Sequence, residues 1–562
     1  VRSVDFDGEL LRIRFTAAGP EFSDLLAVVK SLPGREWLAG PRIWVAPPIP
    51  KTVRTLQSHS FEFTPAVESL LSPTPAAPVQ ETDSPALTEH SAAVSGFRPY
   101  QTQALRFLER RRGVGGIFDQ MGLGKTIEAI GYFLIHPDAR PVVVVCPASV
   151  KLKWAREIQK WTDGERVEIL YGRSPGRIPE AEWYVINYDI LATPTGETDK
   201  HDRDILSGWA YELAAVAPAG VIGDEVQYVS NPRAHRTRGF THLAAHRRRD
   251  GAFIPLSGTP IRNRPKEFFT ILNLLAPHTF RNRWQYYHRY CDPKHNGFGW
   301  SFQGGTNLEE LHELISPLMI RRLKSEVLTE LPPKQKVVVP MELSGPERGE
   351  YQEEEQRMSE WLGSVEHPAD PEADAHIERL KQAAWRAKRS SVMDWIADFL
   401  ESGEKLLVAA WHRKTVEDIQ EHFQTSAGAV RIYGGTPAAD RQAAVDRFQT
   451  DPGTRLLVCH PDSVIGQDLY AAHAGAVVEF PATPSDCEQF EDRLHRIGQT
   501  DSVMIYYLVA DGTVETHIMD FLEEKHEVVA EVLDGGTRGE LFAGGREQLA
   551  QKLLAVYRGK AG

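Results

Sequence analysis

Two α/β lobes in tandem, each built on a parallel sheet, are predicted from three features of the sequence. Apolar, β-branched runs recur after residue 97, amphipathic helical stretches alternate with them, and the series restarts beyond a charged helical region. Val142-Val143-Val144-Val145 is the purest run, and Gly116-Ile117-Phe118, Tyr184-Val185-Ile186 and Val221-Ile222 accompany it. Uninterrupted apolar runs suit strands buried on both faces, which requires crossover helices to cover them. The second series comprises Leu406-Leu407-Val408-Ala409, Val430-Arg431-Ile432-Tyr433, Leu456-Leu457-Val458 and Ala476-Val477-Val478. No short-period repeat links the two halves.

At 562 residues the chain exceeds a single core, so several structural units are expected. Residues 1–71 form a small α+β module by this reading: Asp7-Gly8 marks a hairpin between strand-like runs, and helix-like stretches follow. Residues 72–95 turn to Pro, Ala, Ser and Thr, the composition of a linker. The first lobe is then expected over 96–335, a helical insertion over 336–392, the second lobe over 393–530, and a C-terminal tail over 531–562. With 41% hydrophobic and 25% charged residues the composition is that of a globular protein. No apolar run reaches membrane-span length and no secretory signal opens the chain, so a cytoplasmic, bacterial or phage setting is expected, or the nucleus if the source is eukaryotic. The four cysteines form no CxxC pair, which argues against disulfide or zinc scaffolding. A net charge of -13 disfavours a simple nucleic-acid coat protein but permits a local basic track.

Asp119-Gln120-Met121-Gly122-Leu123-Gly124-Lys125-Thr126 follows a strand and opens a helix, the context in which backbone N–H groups cradle phosphate. Here Gly122, Leu123 and Gly124 form the turn, Lys125 is placed to reach the β- and γ-phosphates, and Thr126 to ligate Mg2+. The strict GxxxxGK[ST] pattern fails at Asp119, and alone the segment could be a glycine turn before a helix. A second part supports the nucleotide reading. The strand Val221-Ile222-Gly223 ends in Asp224-Glu225, where Asp224 can hold Mg2+ through water and Glu225 can orient or deprotonate an attacking water. A third part lies in the other half: Arg493 and Arg496 share a face if helical. Guanidinium groups there can stabilise charge developing on a γ-phosphate, and supplying them from a separate lobe ties hydrolysis to lobe closure.

Taken in order, these segments resemble the SWI/SNF-type ATPases of helicase superfamily 2 over roughly residues 97–515. Phe97-Arg98-Pro99-Tyr100-Gln101 is similar to the adenine-contacting Q motif, and the resemblance implies nucleotide contacts from Arg98 and Gln101. Asp224-Glu225-Val226-Gln227 stands at the DExH box with Gln227 in the usual His place, and Leu256-Ser257-Gly258-Thr259-Pro260 with Asn263 resembles motif III. Met319-Ile320-Arg321-Arg322 resembles the stretch leading to the second lobe, and His495 to Gln499 nearly completes motif VI. Motif V is the weakest match, at Ile465-Gly466-Gln467-Asp468. The resemblance implies two RecA-like lobes of the P-loop NTPase kind, with ATP and Mg2+ as cofactors. Gln227 stands where the family has a residue that helps couple the γ-phosphate to motif III, so the resemblance leaves the efficiency of coupling open while hydrolysis is expected.

Within that family the N-terminal module is similar to the HARP module of the annealing helicases, through Lys30-Ser31-Leu32-Pro33-Gly34-Arg35-Glu36-Trp37 and Arg42-Ile43-Trp44-Val45. An alternative makes Trp37 and Trp44 the core of an unrelated small domain. Motors of this kind grip duplex phosphates, and candidate grips are Ser149, Lys151, Lys153, Asn187, Arg413 and Lys414. Arg247-Arg248-Arg249 is the strongest basic cluster, or else a solvated helix end. The expected function is an ATP-dependent double-stranded DNA translocase that remodels or reanneals branched DNA. Its expected partners are DNA and replication or repair proteins; it is expected to act as a monomer and without a membrane. The competing readings are a remodeller that displaces proteins from DNA and a catalytically silent DNA-binding scaffold.

Overall fold

The computed structural model describes residues 2–6, 10–38, 41–64, 67, 84–522 and 553, apart from 201, 262–263, 296–299, 303, 329, 344, 365–370, 466, 468 and 482–483. The Asp7-Gly8 turn, Asn263, Gly466, Asp468 and nearly all of the expected tail lie outside these residues.

The valine run becomes the strand Val142–Cys146, buried along its whole length. It sits within a seven-stranded, wholly parallel sheet whose spatial order is Met319–Ile320, Gly116–Ile117, Ala252–Leu256, Gly220–Asp224, Val142–Cys146, Trp183–Asn187 and Val167–Ile169. Because side chains alternate along a strand, Val143 and Val145 enter one core while Val142, Val144 and Cys146 enter another on the opposite face. A second parallel sheet of six strands repeats this logic in the order Lys334–Met341, Val503–Ala510, Ala474–Val477, Leu406–Ala409, Leu456–Cys459 and Val430–Ile432. There Leu407 and Ala409 face one core, and Leu406 and Val408 the other. Two α/β lobes with parallel sheets are thus present.

The structure departs from the expected sequence divisions at two places. Residues 334–341, expected to straddle the end of the first lobe and the helical insertion, form an edge strand of the second sheet, paired in register from Lys334↔Val503 to Met341↔Ala510. The short Val337-Val338-Val339 run there is flanked by Lys336 and Pro340, residue types depleted in strands. The helices that follow, Gly345–Ser364 and Pro371–Glu401, bury Tyr351, Met358, Ile377 and Leu380 against the second-lobe core. Within the expected linker, the turns Pro85–Glu89 and Ser91–Val94 place Leu87 and Val94 in a first-lobe core.

The N-terminal module is a five-stranded sheet in the order Glu36–Leu38, Ile43–Ala46, Leu11–Phe15, Arg2–Phe6 and Glu62–Phe63, with the helices Pro20–Ser31 and Pro50–Ser58. It rests on the first lobe. Lys51 pairs with the buried Glu310 at 2.6 Å, Arg54 with Glu313 at 3.5 Å, and Ile49 joins the lobe's core. All four cysteines are buried free thiols, and no helix among the described residues is long and apolar enough to cross a membrane.

Candidate nucleotide site between the lobes

The loop before the helix Lys125–Leu134 is shaped by two glycines, Gly122 at φ 85° and Gly124 at φ 94°. Side-chain-bearing residues rarely adopt this left-handed conformation, and a Cβ at Gly124 would overlap Gln101 Nε2. Tyr100 and Gln101 brace the loop: the Tyr100 hydroxyl donates to the Leu123 carbonyl at 2.8 Å, and Gln101 Nε2 to the same oxygen at 3.1 Å. Gln101 Oε1 accepts from the Arg98 N–H at 3.0 Å, and the Arg98 guanidinium pairs with Glu330. One end of the Gln101 amide therefore holds the loop and the other caps its own helix, Pro99–Arg110.

Lys125 Nζ donates to the backbone carbonyls of Asp119 at 2.8 Å and Gln120 at 3.4 Å. Burial lowers the pKa of its ammonium, against the attraction of Glu225, Asp119, Asp224 and Glu128. A desolvated cation resting on carbonyls, below a helix N-terminus and a glycine cradle, fits a polyphosphate.

Asp119, the residue that breaks the strict phosphate-loop pattern, anchors the loop from below. Arg322 Nε donates to both of its carboxylate oxygens at 3.0 and 3.1 Å, while Arg322 Nη2 reaches Glu128 at 2.7 Å. Arg322 Nη1 donates to the Tyr100 carbonyl and its guanidinium lies 5.2 Å from the Tyr100 ring centre. Burial and the adjacent Asp119 push Glu128 well above the usual carboxylate range, despite Arg322. Gln120 Oε1 accepts from the Lys324 N–H at 2.8 Å.

The acid pair ends the strand Gly220–Asp224 beside the loop. Asp224 Oδ2 accepts from Trp154 Nε1 at 2.8 Å, and its carbonyl from the Tyr188 hydroxyl at 2.8 Å. Burial and the Glu225 carboxylate push Asp224 up to about 7, opposed by the Trp154 hydrogen bond and by Lys125 and Lys153. Two carboxylates crowded in this way suit a divalent cation, which would favour the ionised form. Glu225 sits at φ 55°, a turn that separates its side chain from the strand direction. Gln227 Nε2 donates to Glu225 Oε2 at 2.7 Å, Ser257 Oγ donates to Gln227 Oε1 at 2.6 Å, and the Thr259 N–H donates to Ser257 Oγ at 3.0 Å. Glutamine thus makes the link to motif III that the substitution for His had placed in doubt.

The second lobe closes the site. Arg493, buried on the helix Pro484–Leu494, is held by the Gln489 carbonyl at 3.0 Å and lies 3.8 Å from Met121 Sδ of the phosphate loop. Arg496 donates to the Gln467 carbonyl at 3.2 Å, and a Cβ at Gly122 would stand 3.0 Å from the Arg496 Cβ. Lys324 fastens this contact: its ammonium bonds Asp492 at 2.7 Å and donates to the His495 carbonyl. Burial pulls Lys324 down to about 8, against Asp492. Lys324 and Trp154 were not singled out from the sequence; Arg322 stood there only as part of the stretch leading to the second lobe, and Tyr188 only as the neighbour of Asn187.

Among the expected phosphate grips, Ser149 and Lys153 line a cleft that Arg441 and Tyr470 of the second lobe face from the other side. Lys151 is turned inward instead: it is buried, donates to the Leu170 carbonyl at 3.0 Å and covers the Tyr171 ring at 4.1 Å. Asn187 is buried at a strand end. Arg413 and Lys414 are exposed and paired along their helix with Glu417 at 2.8 Å and Asp418 at 2.9 Å. Arg247 caps the helix His235–Ala245 through the Ala244 carbonyl at 2.6 Å.

A nucleotide site completed only when a second parallel-sheet lobe meets the first is the arrangement of helicase-type P-loop proteins. The chain belongs to the SNF2-related family: the SNF2-related domain model matches residues 100–406, and the helicase conserved C-terminal domain model matches 387–498. It is similar to the "DNA annealing helicase and endonuclease ZRANB3" of Bos taurus, 33% identical over 452 residues that cover 78% of this chain and 40% of the relative. It is also similar to the "SWI/SNF-related matrix-associated actin-dependent regulator of chromatin subfamily A-like protein 1" of Xenopus tropicalis, 33% identical over 78% of this chain and 45% of that protein. The Caenorhabditis elegans homolog of the latter matches at 28% identity over 93% of this chain and 75% of its own length. The chain thus spans less than half the length of the first two relatives.

Proposed function

We propose that this protein is an ATP-dependent double-stranded DNA translocase that remodels or reanneals branched DNA. The observation that carries this reading is the seating of Arg496 on Gly122, which makes the hydrolytic site a property of lobe closure. ATP would be held by the backbone of Gly122 to Thr126 and by Lys125, and Mg2+ by Thr126 and Asp224. Bound there, the nucleotide supplies a phosphoanhydride whose hydrolysis drives the cycle. Glu225, oriented by Gln227, positions and deprotonates the attacking water. Arg493 and Arg496 stabilise charge developing on the departing phosphoryl oxygens, and their planar forks suit that task better than lysine. Reopening the lobes after hydrolysis shifts the grips of one lobe relative to the other by a step along the duplex. Ser149 and Lys153 supply phosphate contacts, with Arg413 and Lys414 on the second lobe. No base readout is involved, so the motor has no sequence preference.

The annealing assignment follows the similarity to annealing helicases. It is tested by rewinding a plasmid bubble held open by a single-strand-binding protein. Rewinding that needs both ATP and Glu225 supports it; ATP-driven strand separation of a forked duplex, with no rewinding, contradicts it.

A further inference from the structure

The segment that leaves the first sheet stays fastened to the phosphate loop. The Phe118 N–H donates to the Ile320 carbonyl at 2.8 Å, and the Gln120 N–H to the Arg322 carbonyl at 3.0 Å. The Lys324 N–H then donates to Gln120 Oε1 at 2.8 Å. Arg322 ties the same segment down a second time, through the Asp119 carboxylate. Ile320 to Lys324 therefore follow the loop wherever it moves.

From there the Lys324 side chain crosses to the second lobe. A Cβ at Gly122 would stand 3.3 Å from Lys324 Cε and 3.0 Å from the Arg496 Cβ, so the two side chains lie together on the loop. The ammonium ends on two acceptors, Asp492 Oδ1 at 2.7 Å and the His495 carbonyl. Those two residues immediately precede Arg493 and Arg496 in the chain. The peptide that leads into Arg496 is thus held at its carbonyl, just past the helix Pro484–Leu494. Carbonyls at a helix end lack partners within the helix, and a cation is favoured there.

The same helix has anchors inside its own lobe. Lys334 and Lys336, on the strand Lys334–Met341, reach the neighbouring carboxylate Glu491 at 2.6 and 2.7 Å. They bind the helix to its own sheet whatever the first lobe does. Of these three lysines, only Lys324 arrives from the phosphate loop. It is buried, with Asp492 attracting its charge and Lys334 and Arg496 repelling it. A buried ion pair adds little net stability over apolar side chains of similar size, and its best-attested use is to fix a register.

We propose that Lys324 is the positioning residue that sets the register of Arg493 and Arg496 on the phosphate loop, acting through Asp492 and the His495 carbonyl. The inference rests on the reading that those arginines serve hydrolysis, and it adds what places them.

The test uses the whole chain with Lys324→Met, which keeps the stem and removes the ammonium, and Asp492→Asn, which keeps the shape and removes the charge. On blunt duplex DNA, kcat for ATP is expected to fall roughly a hundredfold in Lys324→Met, the cost of a displacement of about 1 Å at the reacting groups, with nucleotide KM nearly unchanged. Asp492→Asn should lose roughly tenfold, as a weakened charge-assisted hydrogen bond allows. Adding Arg496→Ala to Lys324→Met should cost much less than Arg496→Ala does alone, because the arginine is already out of register. Amide hydrogen exchange, which needs no turnover, should quicken in Lys324→Met over residues 119–126 and 489–499 and stay unchanged in the strand Val142–Cys146. Unchanged kcat in both variants, fully additive losses, a KM rise that accounts for the whole loss, or exchange that is unaltered or quickened equally throughout the molecule would each overturn the inference. Absence of ATP hydrolysis by the unmutated protein on every DNA, with exchange in both segments still dependent on Lys324, would defeat the motor reading and leave the register role standing.

Discussion

Gln227 donates to Glu225 at 2.7 Å while accepting from Ser257 at 2.6 Å, so one amide joins the acid proposed to activate water to the Ser257–Thr259 segment. An amide, like a neutral imidazole, can donate on one side and accept on the other, whereas a carboxylate can only accept. Gln227→Glu keeps an acceptor for Ser257 but removes the donor to Glu225. It is expected to lower kcat by roughly ten- to a hundredfold, as a lost charge-assisted hydrogen bond allows, with little change in nucleotide KM. Gln227→His should stay near the unmutated rate. Steady-state hydrolysis on duplex DNA reads both, and a KM rise without a kcat fall would contradict the role.

A buried ion pair fastens the helix Pro371–Glu401 to the second sheet. Lys388 is fully buried and bonds Glu515 at 2.6 Å, between the Phe480 ring and the last strand. Lys388→Met leaves the Glu515 carboxylate buried without its cation, which costs about 3–5 kcal/mol. Urea unfolding should show that loss, and Lys388→Met with Glu515→Leu together should recover much of it.

His412 is clamped between Glu378 at 3.0 Å and Glu479 at 2.8 Å. Those two hydrogen bonds raise it from 6.5 to about 9. Because the folded value lies above the unfolded one, the stabilisation is whole below pH 6.5 and is lost as pH rises through about 9. On the acid side the His412 hydrogen bond holds Glu378 at about 2, so its share is whole above pH 4.5 and fades as pH falls toward 2. The melting temperature of His412→Gln should therefore lie furthest below that of the unmutated protein between these limits. The gap should close by pH 10; a gap that is constant with pH would contradict the clamp.

The strands and the phosphate loop were legible because their signals are local. Val142–Cys146 is buried on both faces whatever its neighbours, and a glycine-rich turn before a helix is set by its own backbone. Pairings across long separations were not legible. The strand Lys334–Met341 carries only a short valine run between Lys336 and Pro340, and its place in the sheet is set by Val503–Ala510 lying beside it. Lys151 sits two residues from Lys153 on one helix, yet only the fold shows that the first points to Leu170 and the second lies within electrostatic reach of Asp224. The Asp119–Arg322–Glu128 cluster joins residues some two hundred positions apart, so the departure of Asp119 from the strict motif had no visible cause in the sequence.

The central claim is that hydrolysis needs the second lobe's arginine on the first lobe's phosphate loop. ATP turnover should be measured with no DNA and with a blunt duplex, for the unmutated protein and for Arg496→Ala, beside nucleotide affinity. The account predicts low turnover without DNA, strong stimulation by the duplex, and a loss of roughly 10³-fold or more in Arg496→Ala at nearly unchanged nucleotide affinity. Turnover that ignores DNA, or that survives Arg496→Ala, would contradict it.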